Sequence, residues 1–359
     1  MITVEKVLDA LKNVDDPDLK KDIVTLGMVK DVVVEGKKVS FSVVLTTPAC
    51  PMKEMIKKAS INAIIHFVDK EAEVNVNMTS NVTSQRTNQP LLPGIKNIIA
   101  VASGKGGVGK STIASNLAVA LAKLGAKVGL VDADIYGPSM PIMFDVVNEK
   151  PAIQKIDGVD KMIPIESYGV KLLSIGFFAD SSQAIVWRGP MASRALTQLF
   201  SDADWGELDY MLIDLPPGTG DIHLSLVQAV PLTGVIIVST PQRVALADAQ
   251  KGVSMFQLPS INVPVLGIVE NMAYFTPAEL PENKYYIFGK DGAADLAQKL
   301  GVPLLGKIPL VQSICEAGDA GRPVVMQETT PQAIAFMEMA KNVAQQISIK
   351  NAKKEAVIA

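Results

Sequence analysis

The feature that most restricts the fold of this chain is a glycine-rich loop that joins an apolar segment to a helical one. Residues 98–103 (IIAVAS) have the composition of a buried strand, and residues 113–124 have the apolar pattern of a helix. Between them lies GKGGVGKST at 104–112, which satisfies the GxxxxGK[ST] pattern. A strand, this loop and a helix in that order predict a phosphate-binding turn within an α/β fold.

Each residue type in the loop has a separate use in phosphate binding. Glycines allow backbone N–H groups to converge on phosphate oxygens, and the start of the helix adds its dipole. Lys110 is expected to meet the β- and γ-phosphates, and the Ser111 hydroxyl can ligate Mg2+. The predicted nucleotide-binding residues are Gly104, Lys105, Gly106, Gly107, Val108, Gly109, Lys110, Ser111 and Thr112. The alternative is a glycine-rich turn without a ligand, which the complete pattern and its context disfavour.

Further apolar segments predict a sheet around this loop. They alternate with longer helical stretches and are apolar on both faces, which is typical of a doubly wound, mostly parallel sheet covered by helices on both sides. The predicted strands are residues 98–103, 128–133, 170–176, 210–216, 234–240 and 263–271. In such a sheet the ligand site lies at the carboxyl ends of the strands.

The rest of the chain predicts a second, smaller domain. Residues 1–80 are expected to form an α+β domain, because residues 39–45 alternate between apolar and polar side chains as a half-buried strand does. Polar residues and prolines in 81–95 predict a linker to the α/β domain at 96–347, and residues 348–359 are expected to form a flexible tail.

Composition excludes several classes of protein. Hydrophobic residues make up 48% of the 359 residues, which is ordinary globular usage, and the net charge of -3 disfavours a nucleic-acid-binding protein. No apolar run reaches the roughly 18 residues of a membrane span, and the N-terminus does not resemble a secretory signal. The two cysteines, Cys50 and Cys315, are too far apart in sequence for a disulfide framework. We therefore expect a cytoplasmic protein that binds neither nucleic acid nor membrane.

Two acidic segments follow predicted strands and would face the loop. Asp132 and Asp134 end the strand at 128–133, where a carboxylate can face a metal or orient water. Asp214 ends the predicted strand that begins at residue 210 and is expected to bind Mg2+ through water, as a Walker B carboxylate does. A single aspartate at a strand end is more often a turn or cap residue. Two such segments in a chain with a complete phosphate loop favour a functional site.

Lys105 is a second lysine within the loop. One loop does not obviously need it, because Lys110 is already expected to neutralise the phosphates. The sequence KGGVGKST at 105–112 resembles the deviant Walker A loop of dimeric ATPases related to nitrogenase iron protein and to the Mrp, ParA and MinD families. The resemblance implies a homodimer in which Lys105 reaches the partner's nucleotide and stabilises phosphoryl transfer. It also implies that Asp134 positions water, with Asp132 in support. The alternative for Lys105 is a solvent-facing loop lysine.

The nucleobase is specified less clearly. The guanine-reading pattern Asn-Lys-x-Asp is absent, because residues 283–286 (NKYY) lack the carboxylate, so ATP is favoured over GTP. Asn271 matches the asparagine that the family uses beside adenine, and residues 309–310 match its base-packing segment. A helix-cap or turn role for Asn271 is equally open.

Most of the chain resembles the Mrp-type iron–sulfur cluster carrier ATPases. The matching segments are DADIYGPS (132–139), WRGPM (187–191), DYMLIDLPPGTGD (209–221) and GDAGRPVV (318–325). TTPACPM at 46–52 resembles the small SufT-like iron–sulfur assembly domain. The resemblance implies ATP hydrolysis and delivery of clusters to apoproteins, with assembly proteins as further partners. The alternatives are a ParA/MinD-type partition or positioning ATPase and an ATP-binding adaptor that does not hydrolyse.

The usual cluster ligands of that family are missing. Typical members carry Cys-x-x-Cys shortly after Glu-Asn-Met, so that two subunits ligate one cluster. Here residues 270–280 read ENMAYFTPAEL, without a cysteine. Cys50 precedes the helical run at 52–68, where the helix dipole favours a thiolate, so it is a candidate cluster ligand or reactive thiol. Its alternative is a small buried apolar residue.

Overall fold

The computed structural model describes most of the chain. The described residues are 2–84, 86, 91–178, 189–218, 226–227, 229–277, 279–280 and 282–358, without the side chains of 189, 190, 192 and 354–358. Parts of the predicted linker and of the WRGPM and LPPGTGD segments lie outside this set. The chain divides into two compact units, Met1–Ser84 with Ala344–Ala359, and Gln85–Val343.

The smaller unit contains a three-stranded sheet and two helices from the N-terminal part of the chain. Its N-terminal elements are α1 (Val4–Leu11), β1 (Asp15–Asp16), β2 (Lys21–Asp22), β3 (Val29–Glu35), β4 (Lys38–Leu45), α2 (Lys53–Phe67) and β5 (Glu73–Ser80). Strand β4 is antiparallel to β3 and parallel to β5. Its buried residues Val39, Phe41, Val43 and Leu45 alternate with more exposed ones, because successive side chains of a strand point to opposite faces. The half-buried strand predicted here is confirmed.

The larger unit is built on one eight-stranded sheet. Its elements are β6 (Ile95–Ser103), α3 (Lys110–Lys123), β7 (Val128–Asp132), α4 (Met140–Met143), β8 (Ala152–Ile156), β9 (Val159–Ile163), β10 (Ile165–Ser167), β11 (Val170–Ser174), α5 (Gly189–Ser201), β12 (Leu208–Asp214), β13 (Gly234–Ser239), α6 (Arg243–Phe256), β14 (Val265–Glu270), α7 (Gly292–Leu300), β15 (Leu304–Lys307), α8 (Gln312–Asp319) and the first part of α9 (Pro331–Ile358). The strand order is β10-β11-β7-β12-β6-β13-β14-β15. Within this sheet only β10 is antiparallel to its described neighbour. The predicted mostly parallel sheet is confirmed.

The six predicted strands correspond to β6, β7, β11, β12, β13 and β14, whereas the short elements were not predicted. Strands β10 and β15 have three and four residues, which is too few to show a periodic pattern. The β8–β9 hairpin lies outside the main sheet and exposes Ile153 and Val159, at 71% and 57% of their surface. Its apolar residues therefore do not follow the alternation of a half-buried strand.

The centre of the sheet is buried on both faces. Ile98 and Ile99 are adjacent in β6 and both fully buried, as expected for a strand covered on both sides. Helix α3 packs against β7 and β12, and α6 packs against β6 and β13. In β12, Asp214 lies opposite Asp132 of β7 and Val101 of β6. This register brings the predicted acidic residues to the strand ends that flank the loop.

The tail predicted from residue 348 onward is instead helical. Helix α9 continues to Ile358, and its residues from 344 belong to the smaller unit. Ile347, Ser348 and Asn351 are buried at helical spacing, and Asn351 donates a hydrogen bond to the Thr83 carbonyl at 2.8 Å. The polar composition misled the prediction because one face of this segment is packed. Within the described residues no helix, α9 included, is both long and apolar enough to cross a membrane.

Candidate functional site

The glycine-rich loop has the backbone shape that its glycines permit. Gly107 and Gly109 have φ values of +80° and +81°, in the left-handed region that favours glycine, and Gly109 directly precedes α3. Gly104 is required for a different reason. A Cβ atom at Gly104 would lie 2.2 Å from the backbone carbonyl carbon of Asp248 in α6. The loop therefore passes against α6 at a distance that a side chain would not allow.

A cavity of about 210 Å³ lies over this loop. Its lining residues are Ser103, Lys105, Gly106, Gly107, Val108, Gly109, Lys110, Ser111, Thr112, Asp134 and Pro217. Every predicted loop residue except Gly104 lines it, and Gly104 packs on α6 instead. Unpaired N–H groups at the start of a helix together with lysine side chains form an anion-binding site.

Lys110 lies at the centre of a buried ionic network. Its side chain is 6% exposed, and Nζ lies 2.5 Å from Asp214 Oδ1 and 3.6 Å from Asp134 Oδ2. Ser111 Oγ donates to Asp214 Oδ2 at 2.6 Å. Burial raises the pKa of Asp214, and the Lys110 ammonium acts against that rise. The predicted phosphate-binding lysine, Mg2+ ligands and water-positioning aspartate thus lie together.

This oxygen-rich arrangement fits a hard divalent cation. The Ser111 hydroxyl and the Asp214 carboxylate are in contact, and Mg2+ prefers oxygen ligands of these types. Asp134 Oδ1 is buried and accepts no hydrogen bond from the part of the chain that the structure describes. A buried oxygen without a donor is costly, and a water or ligand donor in the adjoining cavity would satisfy it.

Lys105 differs from Lys110 in its surroundings. It lines the same cavity but is only partly buried, and its ammonium forms no ion pair with a described residue. Ser103 Oγ donates to the Lys105 carbonyl at 3.0 Å, which fixes the backbone rather than the ammonium. Lys105 therefore brings a second positive charge to the cavity that Lys110 also lines.

Asp132 faces the backbone of the loop that carries Asp134. Its Oδ1 accepts from the Asp134 N–H at 3.2 Å, and Oδ2 accepts from the Met140 N–H at 3.1 Å and from Ser174 Oγ at 2.9 Å. One carboxylate therefore joins both ends of the 134–140 segment to β11. Ser174 was not predicted, because the pairing of β7 with β11 that places it beside Asp132 connects distant residues.

We expect Asp132 to make the stability of the protein depend on pH. Burial, together with the nearby Asp214 carboxylate, raises the pKa of Asp132 to about 7. The folded state then holds a proton that the unfolded state has lost, so this group stabilises at low pH and the effect is lost as pH rises to about 7. Between about pH 5 and about pH 7, the decrease in the free energy of unfolding should be smaller for Asp132→Asn than for wild type, by on the order of 2 kcal/mol. Urea unfolding across this range measures it, and equal slopes for both proteins would contradict the assignment.

Asn271 lies at the end of β14, next to the phosphate loop. It is 5% exposed, and Nδ2 donates to the Val108 carbonyl at 2.8 Å. A second cavity, of about 340 Å³, is lined by Asn271, Gly109 and Thr112 together with Pro309 and Leu310 of the predicted base-packing segment. The position agrees with a base site, but the bond to the loop was not predicted because it joins residues 163 positions apart.

The structure changes the interpretation of Cys50. Burial raises the pKa of its thiol, and the Asp16 and Asp18 carboxylates add to this rise, while the Met52 and Lys53 N–H groups act against it. The thiolate expected from the helix dipole is therefore not favoured, because burial outweighs the helix start. Cys50 is half-buried in the smaller unit.

The two cysteines of the chain, Cys50 and Cys315, do not form a Cys-x-x-Cys pair. Cys315 is exposed in the larger unit, where it lines the cavity beside Asn271. Among the described residues, no group of three or more His, Cys, Asp or Glu side chains is arranged to hold a metal ion.

The fold and the loop define this protein as a P-loop NTPase. The family described as NUBPL iron-transfer P-loop NTPase, within the ParA group, matches residues 94–344, and the chain belongs to it. Residues 4–77 match the family described as iron-sulfur cluster assembly protein. Both matches agree with the resemblance found in the sequence, which is confirmed.

Named relatives extend the match over nearly the whole chain. An iron-sulfur cluster carrier protein of Synechocystis is 44% identical over 352 residues, which cover 97% of this chain and 99% of that protein. The iron-sulfur cluster transfer protein NUBPL of Dictyostelium discoideum is 48% identical over 262 residues, or 72% of this chain and 79% of the relative.

Solved structures agree with this assignment. A nucleotide-binding protein from Archaeoglobus fulgidus, in complex with ADP, is 38% identical and has a TM-score of 0.58, covering 68% of this chain and 93% of its own. The cell division ATPase MinD of Pyrococcus furiosus has a TM-score of 0.50 at 23% identity, with 69% and 98% covered. The MinD likeness therefore extends to the fold alone.

Proposed function

We propose that this chain is an ATP-hydrolysing carrier that delivers iron–sulfur clusters to apoproteins and acts as a nucleotide-controlled homodimer. One observation carries the proposal: a complete phosphate loop with Lys110, Ser111 and Asp214 in contact occurs in a chain 44% identical, over nearly its full length, to a named cluster carrier. Assembly proteins that supply clusters and apoproteins that accept them are the expected partners.

The site supports ATP hydrolysis through five side chains. Lys110 and the loop N–H groups would bind the terminal phosphates, while Ser111 and Asp214 would hold Mg2+. The bound Mg2+ would neutralise charge on the phosphates. Asp134, whose Oδ1 has no described donor, would accept a hydrogen bond from the attacking water. Lys105 would stabilise the transferring phosphoryl group on the partner subunit.

Phosphate binding would also rearrange the ionic network. Lys110 contacts Asp214 in the structure, so an incoming phosphate competes with a carboxylate for the same ammonium. When Lys110 turns to the phosphate, Asp214 loses its counter-ion and becomes available to Mg2+. Nucleotide and Mg2+ binding are therefore expected to favour each other.

Cys50 is the candidate cluster ligand in this proposal. The protein and its Cys50→Ser and Cys315→Ser variants would be reconstituted anaerobically with iron and sulfide and analysed for both elements. We expect the wild type and Cys315→Ser to bind a cluster and Cys50→Ser to lose most of it, because Cys315 matches no family ligand. Equal loading of all three would exclude Cys50, and no stoichiometric cluster on the wild type would exclude a carrier.

A partition or positioning ATPase is the competing function within the same fold. The MinD likeness supports the fold alone, so nothing specific favours this function. Sedimentation with anionic lipid vesicles and with duplex DNA, each with and without ATP, would separate the two. We expect neither to be bound, and strong ATP-dependent binding to either would contradict the carrier proposal.

A further inference from the structure

We infer that Asn271 is a positioning residue of the phosphate loop, so that phosphate binding depends on it even when no base is present. This inference rests on the proposed nucleotide site and goes beyond contact with the base. The bond from Asn271 Nδ2 to the Val108 carbonyl, at 2.8 Å, carries the argument.

The backbone around Asn271 is fixed on both sides. The Asn271 N–H donates to the Ser239 carbonyl at 2.8 Å, and the Ala273 N–H donates to the Ile308 carbonyl at 2.9 Å. These bonds tie the residue to the ends of β13 and β15. The amide is consequently presented to the loop by the sheet rather than by a freely rotating surface segment.

The bond to Val108 also fixes the direction of a neighbouring donor. The Val108 carbonyl and the Gly109 N–H belong to one trans peptide unit and point in opposite directions. Holding the carbonyl against Asn271 therefore turns the Gly109 N–H away from Asn271. Val108 and Gly109 line the cavity over the loop, where backbone N–H groups are needed to bind phosphate oxygens.

The part of the loop around Val108 is intrinsically adaptable because it is rich in glycine. Gly107 and Gly109 flank Val108 and both have left-handed backbone, which glycine adopts among several accessible conformations. The loop packs directly on the amide, because a Cβ atom at Gly109 would lie 2.1 Å from Asn271 Nδ2. Asn271 thus restricts a segment that would otherwise lose more entropy when phosphate binds.

The same side chain lines the second cavity, so the competing explanation is that Asn271 contacts only the base. A ligand that has phosphates but no base separates the two. Removing a positioning residue weakens binding of inorganic tripolyphosphate and of ATP, whereas removing a base contact weakens ATP alone.

Calorimetry would measure the Kd of Mg2+-tripolyphosphate and of Mg2+-ATP for wild type, Asn271→Ala and Asn271→Ser. Leu310→Ala is the matched control, because Leu310 lines the second cavity but does not line the one over the loop. We expect both Asn271 variants to bind tripolyphosphate about tenfold more weakly, the effect of one buried hydrogen bond. Leu310→Ala should weaken ATP while changing tripolyphosphate by less than about twofold.

Unchanged tripolyphosphate affinity in folded Asn271 variants would overturn the inference and leave the nucleotide site intact. A wild type that binds neither ligand would instead contradict the proposed function. Hydrogen–deuterium exchange of the loop at saturating Mg2+-tripolyphosphate gives an independent measurement, because the Gly109 amide is then expected to bond to phosphate. We expect faster exchange of the Gly109 amide in Asn271→Ser than in wild type, and equal exchange would likewise overturn the inference.

Discussion

Lys110→Ala is expected to reduce phosphate release from ATP by about 100-fold or more, the usual effect of removing a charge placed on the reacting group. Lys110 is the buried lysine at the start of α3, and its ammonium is held beside Asp214 and Asp134. Without it, the terminal phosphates lose a direct counter-charge. ATP affinity should fall as well, because the lysine contacts phosphate before and during transfer. Phosphate release and ATP binding would be measured on the same preparations.

The matched control is Lys299→Ala, which removes an exposed lysine from α7 and should leave both quantities unchanged. Lys110→Ala also leaves the fully buried Asp214 carboxylate without its ammonium partner, so a loss of stability of about 3 kcal/mol is expected. Thermal unfolding must therefore confirm that the variant is folded at the assay temperature. Wild-type rates of phosphate release from the folded variant would remove hydrolysis from the proposed function.

Lys105→Ala is expected to reduce turnover to a similar degree but to leave ATP affinity nearly unchanged. The ammonium of Lys105 pairs with no acidic side chain among the described residues, and its proposed target is the partner's nucleotide. The two lysine variants should consequently differ in binding although both are inactive. Equal loss of ATP affinity in both would contradict this division of roles.

Mixing the two inactive variants tests action across the dimer. In a mixed dimer, the Lys105→Ala subunit keeps Lys110 at its own nucleotide and receives Lys105 from its partner, so one site is complete. We expect up to about half of the wild-type rate for each mixed dimer, which is about a quarter of the wild-type rate for a random 1:1 mixture. If Lys105 acts on its own subunit's nucleotide, neither site is complete and the mixture stays inactive.

The predictable parts of the site are those that short, continuous sequence patterns indicate. The loop at 104–112 sits between an apolar strand and a helix, and Asp132, Asp134 and Asp214 each follow a strand, so the register of a parallel sheet brings them together. The contacts between Asn271 and Val108 and between Ser174 and Asp132 depend on which strands become neighbours. Such pairings join distant residues, and no local pattern indicates them.

Burial explains why the tail prediction failed and why a Cys50 thiolate is disfavoured, while the role of Cys50 as a cluster ligand stays a prediction. Cys50 precedes a helix, which by itself favours a thiolate, but its half-buried position beside Asp16 and Asp18 raises the thiol pKa. Residues 348–358 are polar in composition, yet buried Ser348 and Asn351 lie on one face of α9. In both cases the packing environment outweighed the local sequence signal.

ATP-dependent cluster delivery is tested most directly by transfer of a cluster from the loaded protein to an apoprotein that becomes active only with a [4Fe–4S] cluster. Activity of the acceptor would be followed anaerobically with ATP, with ADP and without nucleotide, for wild type and Lys110→Ala loaded to the same iron content. We expect ATP to accelerate transfer from wild type and not from Lys110→Ala. No transfer from loaded wild type, or the same rate from both proteins with and without ATP, would contradict this expectation.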